Sequence, residues 1–90
     1  MKVGVHIIVS GMVQGVGFRY YVYGKAKQLG ISGYVSNLDN GSVEIAAEAE
    51  RSLIEELIKE IKVGPRYADV TDMRIEWRTP NQQFNDFKIQ

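Results

Sequence analysis

The spacing of apolar residues switches repeatedly between two and about 3.6 along this chain, and the order of the switches leaves few folds open. Val3, Val5, Ile7 and Val9 alternate with Gly4, His6, Ile8 and Ser10, as the two faces of a strand do. From Arg19 onward Val22, Ala26 and Leu29 share one helical face, and Gly30 is placed to end that helix. Residues 33–38 and 42–48 read as two strands joined through Asp39-Asn40-Gly41, and Asn-Gly between strands is a strong hairpin signal. In the second of them Val43, Ile45 and Ala47 face one way, Glu44 and Glu48 the other. Leu53, Ile54, Leu57, Ile58 and Ile61 then form the apolar stripe of a second helix, stopped by Gly64-Pro65.

Met73, Ile75 and Trp77 alternate again, while Ala68 and Val70 have the opposite parity. The strand therefore starts near Thr71 or carries a bulge. Residues 84–89 read as a short final strand. Two strand-helix-strand units around a central hairpin predict an α+β, ferredoxin-like βαββαβ sandwich. Both helices have a single apolar face, so they belong on one face of a mainly antiparallel sheet, with a short extra C-terminal strand beside it. Gly24, inside the first helix, costs about 1 kcal/mol relative to alanine and points to close packing there.

Ninety residues make one domain, 1–90, with no internal repeat or linker. The absence of cysteine excludes disulfides and thiolate metal sites. No apolar run reaches membrane-spanning length and no signal-peptide pattern opens the chain, so an untargeted cytoplasmic protein is expected. Net charge is zero but unevenly spread. Residues 1–38 hold Lys2, Arg19, Lys25 and Lys27 and no acid; the rest carries seven basic residues against eleven acidic. That balance argues against a nucleic-acid surface and leaves room for a local anion site.

Residues 11–19, Gly-Met-Val-Gln-Gly-Val-Gly-Phe-Arg, join a strand to a helix start. Glycines allow the positive φ values that turn successive N–H groups inward, and a helix N-terminus adds unpaired donors and partial positive charge. Arg19 in the first turn opposes the macrodipole, a conflict that an anion between them would relieve. Its guanidinium can fork onto phosphate oxygens. A Walker A loop is excluded, because Phe18-Arg19 stands where Lys and Ser or Thr are needed. The dinucleotide pattern fails at Tyr20.

Gly11, Val13, Gln14, Gly15, Val16, Phe18 and Arg19 match every fixed position of the acylphosphatase signature, and the chain resembles that family. Residues 33–43 are similar to its second signature, and 64–70 and 86–89 to further family features; the likeness departs at Ser36 and Ala49. The resemblance implies hydrolysis of the carboxyl-phosphate bond of acyl phosphates without cofactor or metal. It implies phosphate binding by Arg19 and by the backbone N–H groups of Gln14, Gly15, Val16, Gly17, Phe18 and Arg19. It gives Asn37 the task of orienting the attacking water; by spacing alone, Asn37 is a turn residue bonded to its own backbone. The composition fits: an acyl phosphate leaves as a carboxylate of pKa about 4, so no general acid is needed. The expected partners are small-molecule acyl phosphates and inorganic phosphate, with no nucleic acid or membrane, and a monomer.

His6 reads as a surface or half-buried structural residue, Tyr20, Tyr21 and Tyr23 as packing and surface cover with the lining of an acyl pocket by one of them as the alternative, and Trp77 as core or sheet face. An RNA-binding module is disfavoured, since the loop precedes a helix where an RNA-binding box would lie on the third strand. The remaining alternative is a catalytically silent anion-binding or regulatory domain of the same fold.

Overall fold

A computed structural model describes residues 1–90. The elements run β1 (Lys2–Met12), α1 (Phe18–Leu29), β2 (Ser32–Asn37), β3 (Val43–Glu50), α2 (Arg51–Val63), β4 (Asp69–Arg78) and β5 (Phe87–Ile89). One sheet holds all five strands in the order β4-β1-β3-β2-β5. Every pairing is antiparallel except β2 with β5, so the predicted ferredoxin-like sandwich with its extra strand is the fold.

The alternating residues of β1 do as their period demands. Val3, Val5, Ile7 and Val9 are buried against Val22 and Ala26 of α1 and Ile54, Leu57, Ile58 and Ile61 of α2. Each such Ile or Leu, taken fully out of water, contributes about 1.5–3 kcal/mol. Gly30 ends α1 in the left-handed conformation at φ 70°, its N–H bonding back to the Lys27 carbonyl. Five residues, 38–42, connect β2 to β3, with Asp39-Asn40-Gly41 at the turn and Gly41 at φ 92°. Thr71 proves to be a bulge: Ser10 faces Asp72 and Gly11 faces Val70, so β4 begins at Asp69 and not near Thr71. Gly11 is required there, because a Cβ would sit 2.1 Å from the Asp69 carbonyl oxygen.

Two local expectations change, at Gly24 and at the last strand. Gly24 is exposed and a Cβ on it would meet nothing within 4 Å, so it is not a close-packing glycine. The last strand is only Phe87–Ile89, because Phe84 turns away to pack its ring edge-on against Tyr34, 5.9 Å between centroids, on the face opposite the helices. Glu48 does face that side, as its parity requires, but it is buried. The segment after β4 crosses over it, and its carboxylate accepts the N–H groups of Asn81 at 3.0 Å and Gln82 at 3.1 Å. Trp77 lies at the exposed edge of the helix-side face, under the Arg51 guanidinium, 4.2 Å from the ring centroid. No helix is long and apolar enough to cross a membrane.

Candidate functional site

β1 and β2 are both antiparallel to β3, so they run the same way, and β5 is parallel to β2. The C-terminal ends of these three strands therefore share one end of the sheet. The loop after β1, Asn37 at the end of β2 and Gln90 after β5 meet there by topology alone.

The loop is shaped by two glycines. Gly15 and Gly17 take φ of 74° and 77°, which an L side chain adopts only at about 1–2 kcal/mol. A Cβ on either would touch nothing within 4 Å, so geometry and not crowding selects glycine. None of the main-chain N–H groups from Gln14 to Arg19 donates a hydrogen bond within the protein; the first helical bond runs from Tyr21 N–H to the Gly17 carbonyl at 3.0 Å. Gly17 is the N-cap of α1 and supplies no side-chain cap, and no acid stands in the first turn. The helix end thus keeps its donors and its partial positive charge. Phe18 anchors this turn, its ring buried and 6.4 Å from that of Tyr21.

Arg19 is half-buried, and its Nη1 donates to the Gln90 carbonyl at 2.9 Å. Gln90 is fixed in turn by its N–H on the Val35 carbonyl at 2.8 Å. No Asp or Glu side chain stands within ion-pair distance of the guanidinium. Asn37 has the same parity as Val35 and so projects on the helix-covered face. Its Oδ1 is buried and accepts no hydrogen bond from the protein. Left so, a buried amide oxygen costs about 1–3 kcal/mol.

A pocket of about 170 Å³ brings Gly15, Gly17, Phe18, Arg19 and Asn37 together with Val13 and Tyr20. Of the residues expected at the site, only Gln14 and Val16 do not line it. Val16 packs toward the core, and the Gln14 side chain turns to the β2–β3 hairpin. Sequence reasoning missed the Gln90 carbonyl and the reach of Gln14, since neither a main-chain acceptor nor a contact across 24 positions leaves a local signal. His6 lies on the opposite face of the sheet, bonded to Glu44 Oε2 at 2.7 Å, which fits its structural reading.

The acylphosphatase family model matches residues 5–89. The acylphosphatase of Caldanaerobacter subterraneus subsp. tengcongensis is 49% identical over 89 residues, covering 99% of each chain. That of Thermotoga maritima is 46% identical over 83 residues, 92% of this chain and 91% of the relative. The crystal structure of acylphosphatase from Bacillus subtilis superposes with a TM-score of 0.95 at 35% identity, covering 98% of both chains.

Proposed function

The chain belongs to the acylphosphatase family and is an enzyme that hydrolyses acyl phosphates; on that premise we propose how its own residues do so. The phosphoryl group of the substrate lies in the 170 Å³ pocket, its oxygens bonded by the N–H groups of Gln14 to Arg19 and by the Arg19 guanidinium. Asn37 Oδ1 accepts a hydrogen bond from one water and turns that water's lone pair toward phosphorus.

The water oxygen bonds to phosphorus as the bond between phosphorus and the acyl oxygen breaks, and the electron pair of that bond leaves on the carboxylate. Such a leaving group, with pKa about 4, takes no proton at neutral pH. The substrate phosphate takes the water's proton. Phosphoryl transfer asks of the protein mainly placement and charge stabilisation, and Arg19 with the loop amides supplies the charge. The pocket is lined by residues of a single copy of the chain, which supports a monomer as the working unit.

The observation that supports this reading is the convergence of unpartnered groups: consecutive N–H donors and one buried acceptor, Asn37 Oδ1, around a single pocket. Hydrolysis of benzoyl phosphate in oxygen-18 water, with and without a chelator, tests it. The label is expected in inorganic phosphate, at a rate the chelator leaves unchanged. Label in benzoate would mean attack at the carbonyl carbon, and a chelator-sensitive rate would mean that a metal supplies the charge.

A further inference from the structure

The side-chain amide of Gln14 is the polar group of the loop for which phosphate capture has no use. Its Nε2 donates to two carbonyl oxygens of the β2–β3 hairpin, Leu38 and Ser42, each at 2.8 Å. Both carbonyls already have main-chain partners. Leu38 O accepts the Gly41 N–H at 3.2 Å, and Ser42 O accepts the Leu38 N–H at 2.8 Å. The hairpin is closed and its acceptors are satisfied without Gln14. What the amide adds is a tie between two segments that local backbone hydrogen bonds do not join. At one end is the residue that begins the cradle, and at the other is the residue directly after Asn37.

The tie bears on a specific weakness of the site. Asn37 ends its strand, and its Oδ1 has no protein partner to hold its direction. Its aim relative to the phosphate thus depends on where the hairpin sits. A misplacement of about 1 Å in a reacting group can cost on the order of a hundredfold in rate. The geometry also restricts what can stand at position 14, because both bonds use protons of one nitrogen. Glutamine supplies them, whereas glutamate presents oxygens to two carbonyl oxygens.

We propose that Gln14 is a positioning residue, whose side chain fixes the Asn37 hairpin against the phosphate cradle. This rests on the water-orienting role proposed for Asn37. It acts on turnover through Asn37 and leaves phosphate binding to the backbone and Arg19.

Gln14→Met keeps the length of the side chain and removes its donors. The test is a cycle of Gln14→Met and Asn37→Ala, singly and together, read as kcat and KM for benzoyl phosphate, inhibition by inorganic phosphate, and thermal midpoint. Gln14→Met should lower kcat by about ten- to a hundredfold, with KM and phosphate inhibition within about twofold of the parent. In the Asn37→Ala background the same change should cost less than about twofold. Gln14→Glu, which keeps the shape with the wrong polarity, should show the same split and serves if the methionine variant does not fold. Parental kcat with a lowered midpoint would overturn the proposal in favour of a purely structural bond. Equal losses in both backgrounds, with weakened phosphate inhibition, would place Gln14 on the phosphate itself. Parental kcat in Asn37→Ala would remove the role of Asn37 and this proposal together, whereas a slow Asn37→Ala with additive losses would remove this proposal alone.

Discussion

At the residue scale the site is a set of small exceptions to ordinary local chemistry. Gly15 holds φ 74° with open space where a Cβ would stand. Gly15→Ala is therefore expected to cost about 1–2 kcal/mol of stability from backbone strain alone, and to weaken phosphate inhibition as the N–H groups turn. Urea unfolding and inhibition kinetics on the same preparation would check both. His6 is on the far face of the sheet, and Asp39 is exposed in the β2–β3 turn. His6→Gln and Asp39→Asn should keep the parental kcat, since the mechanism proposed above gives the water's proton to the substrate phosphate. A loss of turnover in either folded variant would name a general base instead. Arg19 was legible as a candidate anion ligand because its charge stands at a helix start in an acid-free segment. Asn37 was not legible without the resemblance, because an asparagine before a turn has an ordinary use and its unpaired Oδ1 exists only in three dimensions.

At the element scale, period carried most of the information. Opposite parity in Ala68-Val70 and Met73-Ile75-Trp77 already required a discontinuity, and the bulge at Thr71 is its resolution. The order of strands and helices followed from the same alternation. Gly24 shows where that reasoning stops. Its helical position was clear from the residues around it, but whether anything presses on a glycine depends on neighbours that no local pattern names. Because nothing does, Gly24→Ala should stabilise the protein by about 0.5–1 kcal/mol through helix propensity. A thermal midpoint a few degrees higher, with unchanged kcat, is the expected result. The short β5 is tied down by Asp86, whose carboxylate accepts the Lys27 ammonium and the Phe87 N–H. The Lys27 hydrogen bond, then the Phe87 N–H, hold this carboxyl below its ordinary range. A depressed carboxyl stabilises the fold above its unfolded value, near pH ~4, and loses that contribution as pH falls through the folded value. Asp86→Asn should therefore lower the urea midpoint at neutral pH, with the difference from the parent closing in acid below the usual carboxylate range.

At the scale of the whole molecule, one end of the sheet carries the proposed site and the segment after β4 crosses the face opposite the helices over Glu48. Glu48 holds that segment with both carboxylate oxygens on main-chain N–H groups. Glu48→Gln turns one donor toward another and should cost about 1–3 kcal/mol without altering the pocket. The parity of β3 placed this glutamate away from the helices, yet its burial depends on a loop more than thirty positions later. A longer separation, 71 positions, hid the Gln90 backbone oxygen from Arg19, since β5 delivers it through a pairing that three residues barely announce.

The division of labour proposed for the site gives phosphate to Arg19 and the loop amides and water to Asn37. Steady-state hydrolysis of benzoyl phosphate with inorganic phosphate as inhibitor, compared among the parent, Arg19→Ala and Asn37→Ala, tests it most directly. Both folded variants should lose about 10²- to 10³-fold in kcat/KM. Phosphate inhibition should survive in Asn37→Ala and be lost in Arg19→Ala. Parental turnover in either variant, or equal loss of phosphate inhibition in both, would contradict the account.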